Sequence, residues 1–263
     1  MCRKCAARSH HVESRTMPNA DGMRALVSGG AHGIGAAVCE ALSEAGARIA
    51  INDLHSAAED AQDLIAKTRS AWVPGDLTSV AECNRVMNET VTHLGGLDVL
   101  VNNAGGPLGH VPFIETTEEH FDRVMNVNLK SAFFLSRAAA PHLGQSGGGR
   151  IVNLASELFF LGHPELPVYA AAKGGIVGLT RSLALALAPS IRVNAVAPGP
   201  TATERLKEER WFREAGDEEL ARVPLRRWGN PRDVARAVCF LAGPDSDWIT
   251  GEVLNVNGGI VMP

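Results

Sequence analysis

The sequence lacks the features that would direct it to nucleic acid, to a membrane or to the cell exterior. Its 25 basic and 29 acidic residues leave a formal net charge of −4, so neither nucleic acid nor an anionic membrane is an expected partner. No apolar run reads as long enough to span a bilayer. Cysteine is scarce and odd in number, 5 residues scattered through expected helices and a tail. That is no disulfide framework, and a reducing cytoplasm is the expected location. Internal repeats, low-complexity blocks and linkers are missing too, and one domain is expected from 263 residues.

The first 22 residues also lack something. They are polar, show no periodicity and have no apolar core of the kind a secretory signal needs. Residues 1–22 read as a disordered leader, or as sequence upstream of a true start at Met17, with the folded domain running over residues 23–263. Cys2 and Cys5 form a CxxC near His10 and His11, but no second CxxC or spaced histidine pair completes a ligand set, and no metal is expected.

What is present is an alternation. Met23–Ser28, Arg48–Asn52, Ala71–Pro74, Asp98–Asn102, Ile151–Ala155, Ile191–Ala197 and Val253–Asn257 read as strands. Most are continuous Val/Ile/Leu runs, as strands buried on both faces require. Helical stretches lie between them, among them Gly33–Ala45 and a long helix over Thr117–Leu143. Ser79-x-x-Glu82 and Thr116-x-x-Glu119 fit capping boxes, Asn230-Pro231 a cap followed by a helix-starting proline, and Pro167 and Pro189 bracket a further helix. Strand–helix alternation of this kind predicts an α/β fold, a doubly wound parallel sheet with right-handed crossovers.

The first strand runs into Ser28-Gly29-Gly30-Ala31-His32-Gly33-Ile34-Gly35 and then directly into a helix. Glycine lets the backbone turn tightly and approach a ligand, and a helix N-terminus offers free N–H groups to a pyrophosphate. The spacing is GxxxGxG rather than the common GxGxxG. Asp53 ends the second strand, where an acid accepts hydrogen bonds from an adenosine ribose or simply caps the next helix. A 2′-phosphate there would meet a like charge, a repulsion of about 4 kcal/mol per charge pair at close range in an effective dielectric near 20. NAD is therefore favoured over NADP, with a protonated His32 able to soften the discrimination. Asp76 and the run Asn102-Asn103-Ala104-Gly105 follow the third and fourth strands. Both stand at carboxyl ends, the edge where open α/β sheets bind ligands, although turn formation alone accounts for either.

The single tyrosine, Tyr169, precedes Lys173 by slightly more than one helical turn, so both side chains share a helix face. An ammonium beside a phenol favours the phenolate and lowers its pKa, which makes the pair a candidate proton donor and acceptor. Ser156 lies just past the fifth strand, placed to meet Tyr169 at one carbonyl oxygen. Taken alone, Ser156 is a loop serine, Asn128 a solvent-facing residue in a helix that Asn does not favour, and Tyr169 with Lys173 an ordinary helix pair.

With glycine turn, acid, Asn-Asn-Ala-Gly, Asn128, Ser156, Tyr169 and Lys173 in this order, the chain resembles the short-chain dehydrogenase/reductase family, from Met23 to Pro263. The resemblance implies a single-domain Rossmann fold with seven strands in the order 3-2-1-4-5-6-7, and a catalytic tetrad of Asn128, Ser156, Tyr169 and Lys173. It implies cofactor contacts from Gly29, His32, Gly33, Ile34 and Gly35 in the turn, from Asp53, and from Asn103, Ala104 and Gly105. Asp76 and Leu77 would flank the adenine. In Pro198-Gly199-x-x-x-Thr203, the Thr201 backbone and the Thr203 hydroxyl would hold the nicotinamide end. Asn257-Gly258-Gly259 stands where relatives usually carry Asp-Gly-Gly, a change at a structural turn.

The implied mechanism has Ser156 bind the substrate oxygen and Tyr169 give or take its proton. Lys173 binds the nicotinamide ribose and keeps Tyr169 acidic, and Asn128 holds a water linking Lys173 to solvent. The segments Glu157–Leu166 and Thr201–Gly216 would contact substrate, offering Leu158, Phe159, Phe160, His163, Leu206, Trp211 and Phe212, with Glu157 suited to a hydroxyl-bearing substrate. The expected activity is an NAD(H)-dependent oxidation of a small secondary alcohol, or reduction of the matching ketone. Two alternatives stand beside it: an NADPH-dependent 3-oxoacyl-[acyl-carrier-protein] reductase, and a non-catalytic dinucleotide-binding sensor. Against the first, Gly147-Gly148-Gly149 occupies the place where such reductases often carry a basic residue. The helix Val168–Ala188 is apolar nearly all round, so a homo-oligomer, a tetramer or a dimer, is expected.

Overall fold

Seven apolar runs pair side by side into one parallel sheet: β1 (Arg24–Ser28), β2 (Arg48–Asn52), β3 (Ala71–Trp72), β4 (Val99–Asn102), β5 (Gly149–Leu154), β6 (Ile191–Pro198) and β7 (Val253–Val256). Their spatial order is β3-β2-β1-β4-β5-β6-β7, with every neighbouring pair parallel. The order reverses between β1 and β4, which opens a crevice at their carboxyl ends. The computed structural model that shows this describes residues 20–146, 148–208, 212–213 and 220–262. Cys2, Cys5, His10, His11, Met17, Gly147 and Trp211 lie outside the described residues, as does the expected leader up to residue 19.

Helices connect the strands: α1 (Gly33–Glu44), α2 (Gln62–Thr68), α3 (Val80–Leu94), α4 (Glu118–Met125), α5 (Ser131–Leu143), α6 (Leu158–Leu161), α7 (Pro167–Leu187), α8 (Glu204–Glu208) and α9 (Pro231–Ala242). Successive strand residues face opposite sides, so each strand feeds two cores. Val27, Ile51, Val101, Val152 and Val196 pack with Val38 and Leu42 of α1 and Val234 and Val238 of α9. Leu26, Ala50, Leu100, Ile151 and Val193 pack on the other face with Val86 and Met87 of α3 and Leu135 and Leu143 of α5. This two-sided burial is why the strands read as unbroken apolar runs.

The structure corrects several local expectations. The fold takes in the end of the expected leader, because Ala20 is 2% exposed and bonds the Ala45 carbonyl, while Gly22 bonds that of Gly46. β3 is shorter than expected, since Pro74 has no N–H for the ladder; the Asn52 side chain donates to the Val73 and Gly75 carbonyls there instead. The helix expected over Thr117–Leu143 is interrupted by a π-helical turn, Asn126–Lys130. Its cap is Thr117, whose hydroxyl accepts from the His120 N–H, rather than Thr116. Ser79 and Asn230 cap α3 and α9 as expected.

One helix, α7, is long and apolar enough by length and composition to cross a membrane, contrary to the reading that no such run exists. Here it packs on β5 and β6, burying Val168, Ile176, Val177, Thr180 and Ala184. It is a core helix of the sheet.

Candidate active site

The crevice at the carboxyl ends of the strands is a continuous cleft of about 2010 Å³. The glycine turn forms its floor at one end. Gly29 has φ +61°, and a side chain there would come within 2.8 Å of the Ala104 Cα. At Gly35 an added Cβ would lie 2.1 Å from the Gly29 carbonyl oxygen. No other residue fits that position, so the turn must carry glycine to close onto α1. His32, Gly33 and Ile34 line the cleft beside it, as do Asp53, Asp76 and Leu77. Asp53 is held by two backbone donors, Ala31 N–H at 3.0 Å and Leu54 N–H at 2.8 Å. Asp76 turns one oxygen to Thr78, accepting from its N–H and its hydroxyl.

The run after β4 is bonded to the glycine turn. Asn103 donates to the Ser28 and Gly29 carbonyls at 3.0 and 2.7 Å. The Ser28 hydroxyl accepts from the Asn103 and Ala104 N–H groups. Asn103, Ala104 and Gly105 all line the cleft, and Ser28 is the clamp that sequence reasoning missed.

Asn128 sits elsewhere than expected. It is 1% exposed, lies in the π-helical turn, and stands behind the cleft wall rather than in it. Its side chain donates to the Gly106 and Val124 carbonyls and accepts from the Gly106 N–H. Three hydrogen bonds to protein use its side-chain amide, both N–H donors and one lone pair of the oxygen, so that amide pins the loop after β4. Val127, its neighbour, does line the cleft.

Ser156, Tyr169 and Lys173 converge in the middle of the cleft. Ser156 accepts from the Leu158 N–H at 3.2 Å. Lys173 is 4% exposed; its Nζ donates to the Leu154 carbonyl at 2.7 Å and stands 5.5 Å from the Tyr169 ring centroid. Burial lowers the Lys173 pKa to about 8. Burial also pushes the Tyr169 phenol up to about 12, with the Glu157 charge adding to the rise while the Ser156 hydrogen bond and the Arg205 guanidinium oppose it. The lowering of Tyr169 by Lys173 expected from spacing is outweighed by burial of the phenol itself.

Glu157 points inward, 8% exposed, with Oε2 3.3 Å from Ser156 Oγ. Burial raises its carboxyl to about 7, against hydrogen bonds from its own backbone and from Ser156. At the far end, Thr201 is buried, and the Thr203 hydroxyl accepts from the Leu206 N–H. Pro198, Gly199, Thr201 and Thr203 line the cleft with Leu158, His163 and Leu206. Phe159 packs instead against the apolar cluster that includes Ile176 and Val177, and Phe212 on Trp228. Arg205 lies over Gly106, close enough that a Cβ on Gly106 would meet its Nη1 at 2.9 Å. Asn257 makes the turn expected of it, accepting from the Gly259 N–H.

An elongated ligand fits these donors: glycine N–H groups and a helix N-terminus for a pyrophosphate, an acid for a ribose, a Lys and two Thr at the opposite end. Among the described residues no group of His, Cys, Asp and Glu is arranged to hold a metal ion.

A family model described as enoyl-(acyl carrier protein) reductase matches residues 29–261. The probable galactose dehydrogenase GalD of Rhizobium meliloti strain 1021 is 38% identical over 258 residues, covering 95% of this chain and 99% of that protein. The 2-dehydro-3-deoxy-D-gluconate 5-dehydrogenase of Escherichia coli K12 is 36% identical, over 91% of this chain and 95% of that one. A crystal structure of a short chain dehydrogenase from Burkholderia cenocepacia J2315 in complex with NADP superposes with a TM-score of 0.84 at 34% identity, covering 91% of this chain and 98% of that chain.

Proposed function

Because the chain belongs to the short-chain dehydrogenase/reductase family and is an oxidoreductase using a nicotinamide cofactor, we propose that it interconverts a small secondary alcohol and its ketone with NAD. The observation that carries this reading is the convergence of Ser156, Tyr169 and Lys173 on one cleft. The nicotinamide supplies or accepts the hydride when bound. Ser156 donates a hydrogen bond to the substrate oxygen, and Tyr169 gives that oxygen a proton in reduction or takes one in oxidation. The phenol starts high, at about 12, which suits an acid. As a base it needs a positive charge brought beside it, from the oxidised cofactor and from Lys173 once it binds the ribose. Asn128 acts indirectly, by holding the loop at Gly106.

Asp53 supports NAD over NADP, since its carboxylate faces the cleft where a ribose phosphate would lie. Gly29, residues 32–35, Asp53, Asp76, Leu77, residues 103–105, Tyr169, Lys173, Pro198, Gly199, Thr201 and Thr203 are the proposed cofactor contacts. The names of two relatives, dehydrogenases of galactose and of a keto-deoxy sugar acid, support a polar, hydroxyl-bearing substrate. The family model's description keeps an acyl carrier protein substrate as the second reading. Against it, the run Gly147-Gly148-Gly149 stands in the sequence where such reductases often carry a basic residue before the fifth strand. A non-catalytic sensor is opposed by the intact Ser156, Tyr169 and Lys173.

A homotetramer or homodimer is the proposed assembly, supported by apolar side chains left exposed on α5 and α7, Phe133 and Leu185. The free buried thiols of Cys39, Cys83 and Cys239 support a reducing cytoplasm. The test is turnover of an alcohol and ketone panel with NAD and with NADP, for wild type and Tyr169→Phe. The reading expects NAD-linked turnover that the variant loses; cofactor binding without turnover on any substrate contradicts it.

A further inference from the structure

We propose that Glu157 is a specificity-determining residue that binds a hydroxyl on the carbon beside the reacting one, so that the substrates are vicinal diols, polyols or the matching hydroxy ketones. This deepens the function proposed above and rests on Ser156 and Tyr169 binding the reacting oxygen. Glu157 lines the same cleft as both, with Oε2 3.3 Å from Ser156 Oγ. Its position is fixed from behind, because its backbone N–H donates to the Pro198 carbonyl at 3.0 Å.

A carboxyl this buried must be hydrogen-bonded or paired. Among the described residues no cation contributes to its environment; besides its own backbone, its hydrogen-bond partner is the Ser156 hydroxyl. Serine has one proton to give. When Ser156 turns it to a substrate carbonyl oxygen, Glu157 loses that bond and is left in the wall of a substrate-filled cleft with an acceptor unmet. The two oxygens of a vicinal diol or hydroxy ketone lie side by side, as do the Ser156 hydroxyl and the Glu157 carboxyl. A substrate hydroxyl on the neighbouring carbon therefore takes the place that the serine proton vacates. An analogue with hydrogen at that carbon strands a buried polar group, which is the kind of mismatch that sites discriminate against strongly.

The test is kcat/KM, with NAD and with NADP, for butane-2,3-diol against butan-2-ol and for hexitols against their analogues deoxygenated beside the reacting carbon. Wild type is expected to favour the hydroxylated member by about tenfold or more. Glu157→Leu brings the ratio to about one, while Glu157→Gln, which keeps an acceptor oxygen, retains most of it. Nicotinamide binding followed by fluorescence reports that each variant is folded. Equal rates on the paired substrates in wild type overturn the proposal, as does an undiminished preference in a cofactor-binding Glu157→Leu protein. Turnover without hydroxyl preference sinks this inference alone; no turnover of any alcohol sinks the underlying function.

Discussion

Lys173 Nζ stands 5.5 Å from the centroid of the Tyr169 ring and donates its hydrogen bond elsewhere, to the Leu154 carbonyl. The pair shares one face of α7, as its four-residue spacing requires, yet the ammonium is stored against β5. With one N–H given to Leu154, the ammonium keeps two further donors, which in the proposed function bind the ribose. Lys173→Ala should lower kcat/KM by roughly 10²–10⁴-fold and weaken cofactor binding. Lys173→Arg should not restore activity, because a planar fork does not fit a buried site shaped for a compact ammonium. Steady-state rates beside cofactor titrations check this; a variant with wild-type kcat would contradict it.

Asn128 is predicted to act on stability as well as rate. Removing its amide with Asn128→Ala leaves the buried Gly106 N–H without its acceptor and should cost about 1–3 kcal/mol. The denaturant midpoint reads this directly. A midpoint unchanged from wild type would show that Gly106 is held by other means.

For Asp53, the expected outcome is a change of cofactor preference. The repulsion of about 4 kcal/mol per charge pair is an upper figure for a site open to solvent. Asp53→Asn, which removes the charge and leaves one side-chain acceptor oxygen for the two backbone donors, should move the ratio of NADP to NAD efficiency up by roughly tenfold to a hundredfold. Parallel KM and kcat measurements with both cofactors decide it, and an unaltered ratio removes Asp53 from the role.

Glu157 gives a pH dependence of stability. Its carboxyl is raised from 4.5 to about 7 in the fold, so between those values the native state holds more protons than the unfolded chain. Stability from this group is fully present below about pH 4.5 and is lost as pH rises through about 7. Glu157→Gln does not titrate, so its Tm relative to wild type should climb from pH 5 to 8, by an amount corresponding to at most roughly 3 kcal/mol. A constant Tm difference across that range would contradict the buried, proton-bearing carboxyl.

How much of this was legible in the sequence follows from what each feature depends on. The strands were readable because a parallel sheet covered on both faces needs unbroken apolar runs, and residues such as Leu26 and Val27 simply feed opposite cores. The glycine turn was readable because Gly35 has no alternative. The π-helical turn was hidden: one extra residue per turn leaves the apolar pattern around Val124 and Leu135 almost unaltered, so Asn128 looked exposed. Glu157 was hidden in another way, since a loop residue has no periodicity to say where its side chain points. The partner of Lys173 was out of reach as well, because a bond to Leu154 is set by the packing of α7 on β5.

The central claim is that Tyr169 is the proton donor and acceptor. Because it is the chain's single tyrosine, tyrosinate absorbance reports on it alone. In the free protein the signal should be absent through pH 10, as burial holds the phenol near 12. With saturating NAD it should appear below about pH 9, a lowering of roughly two or three units or more. Absence of any tyrosinate signal below pH 10 in the NAD complex would contradict the account.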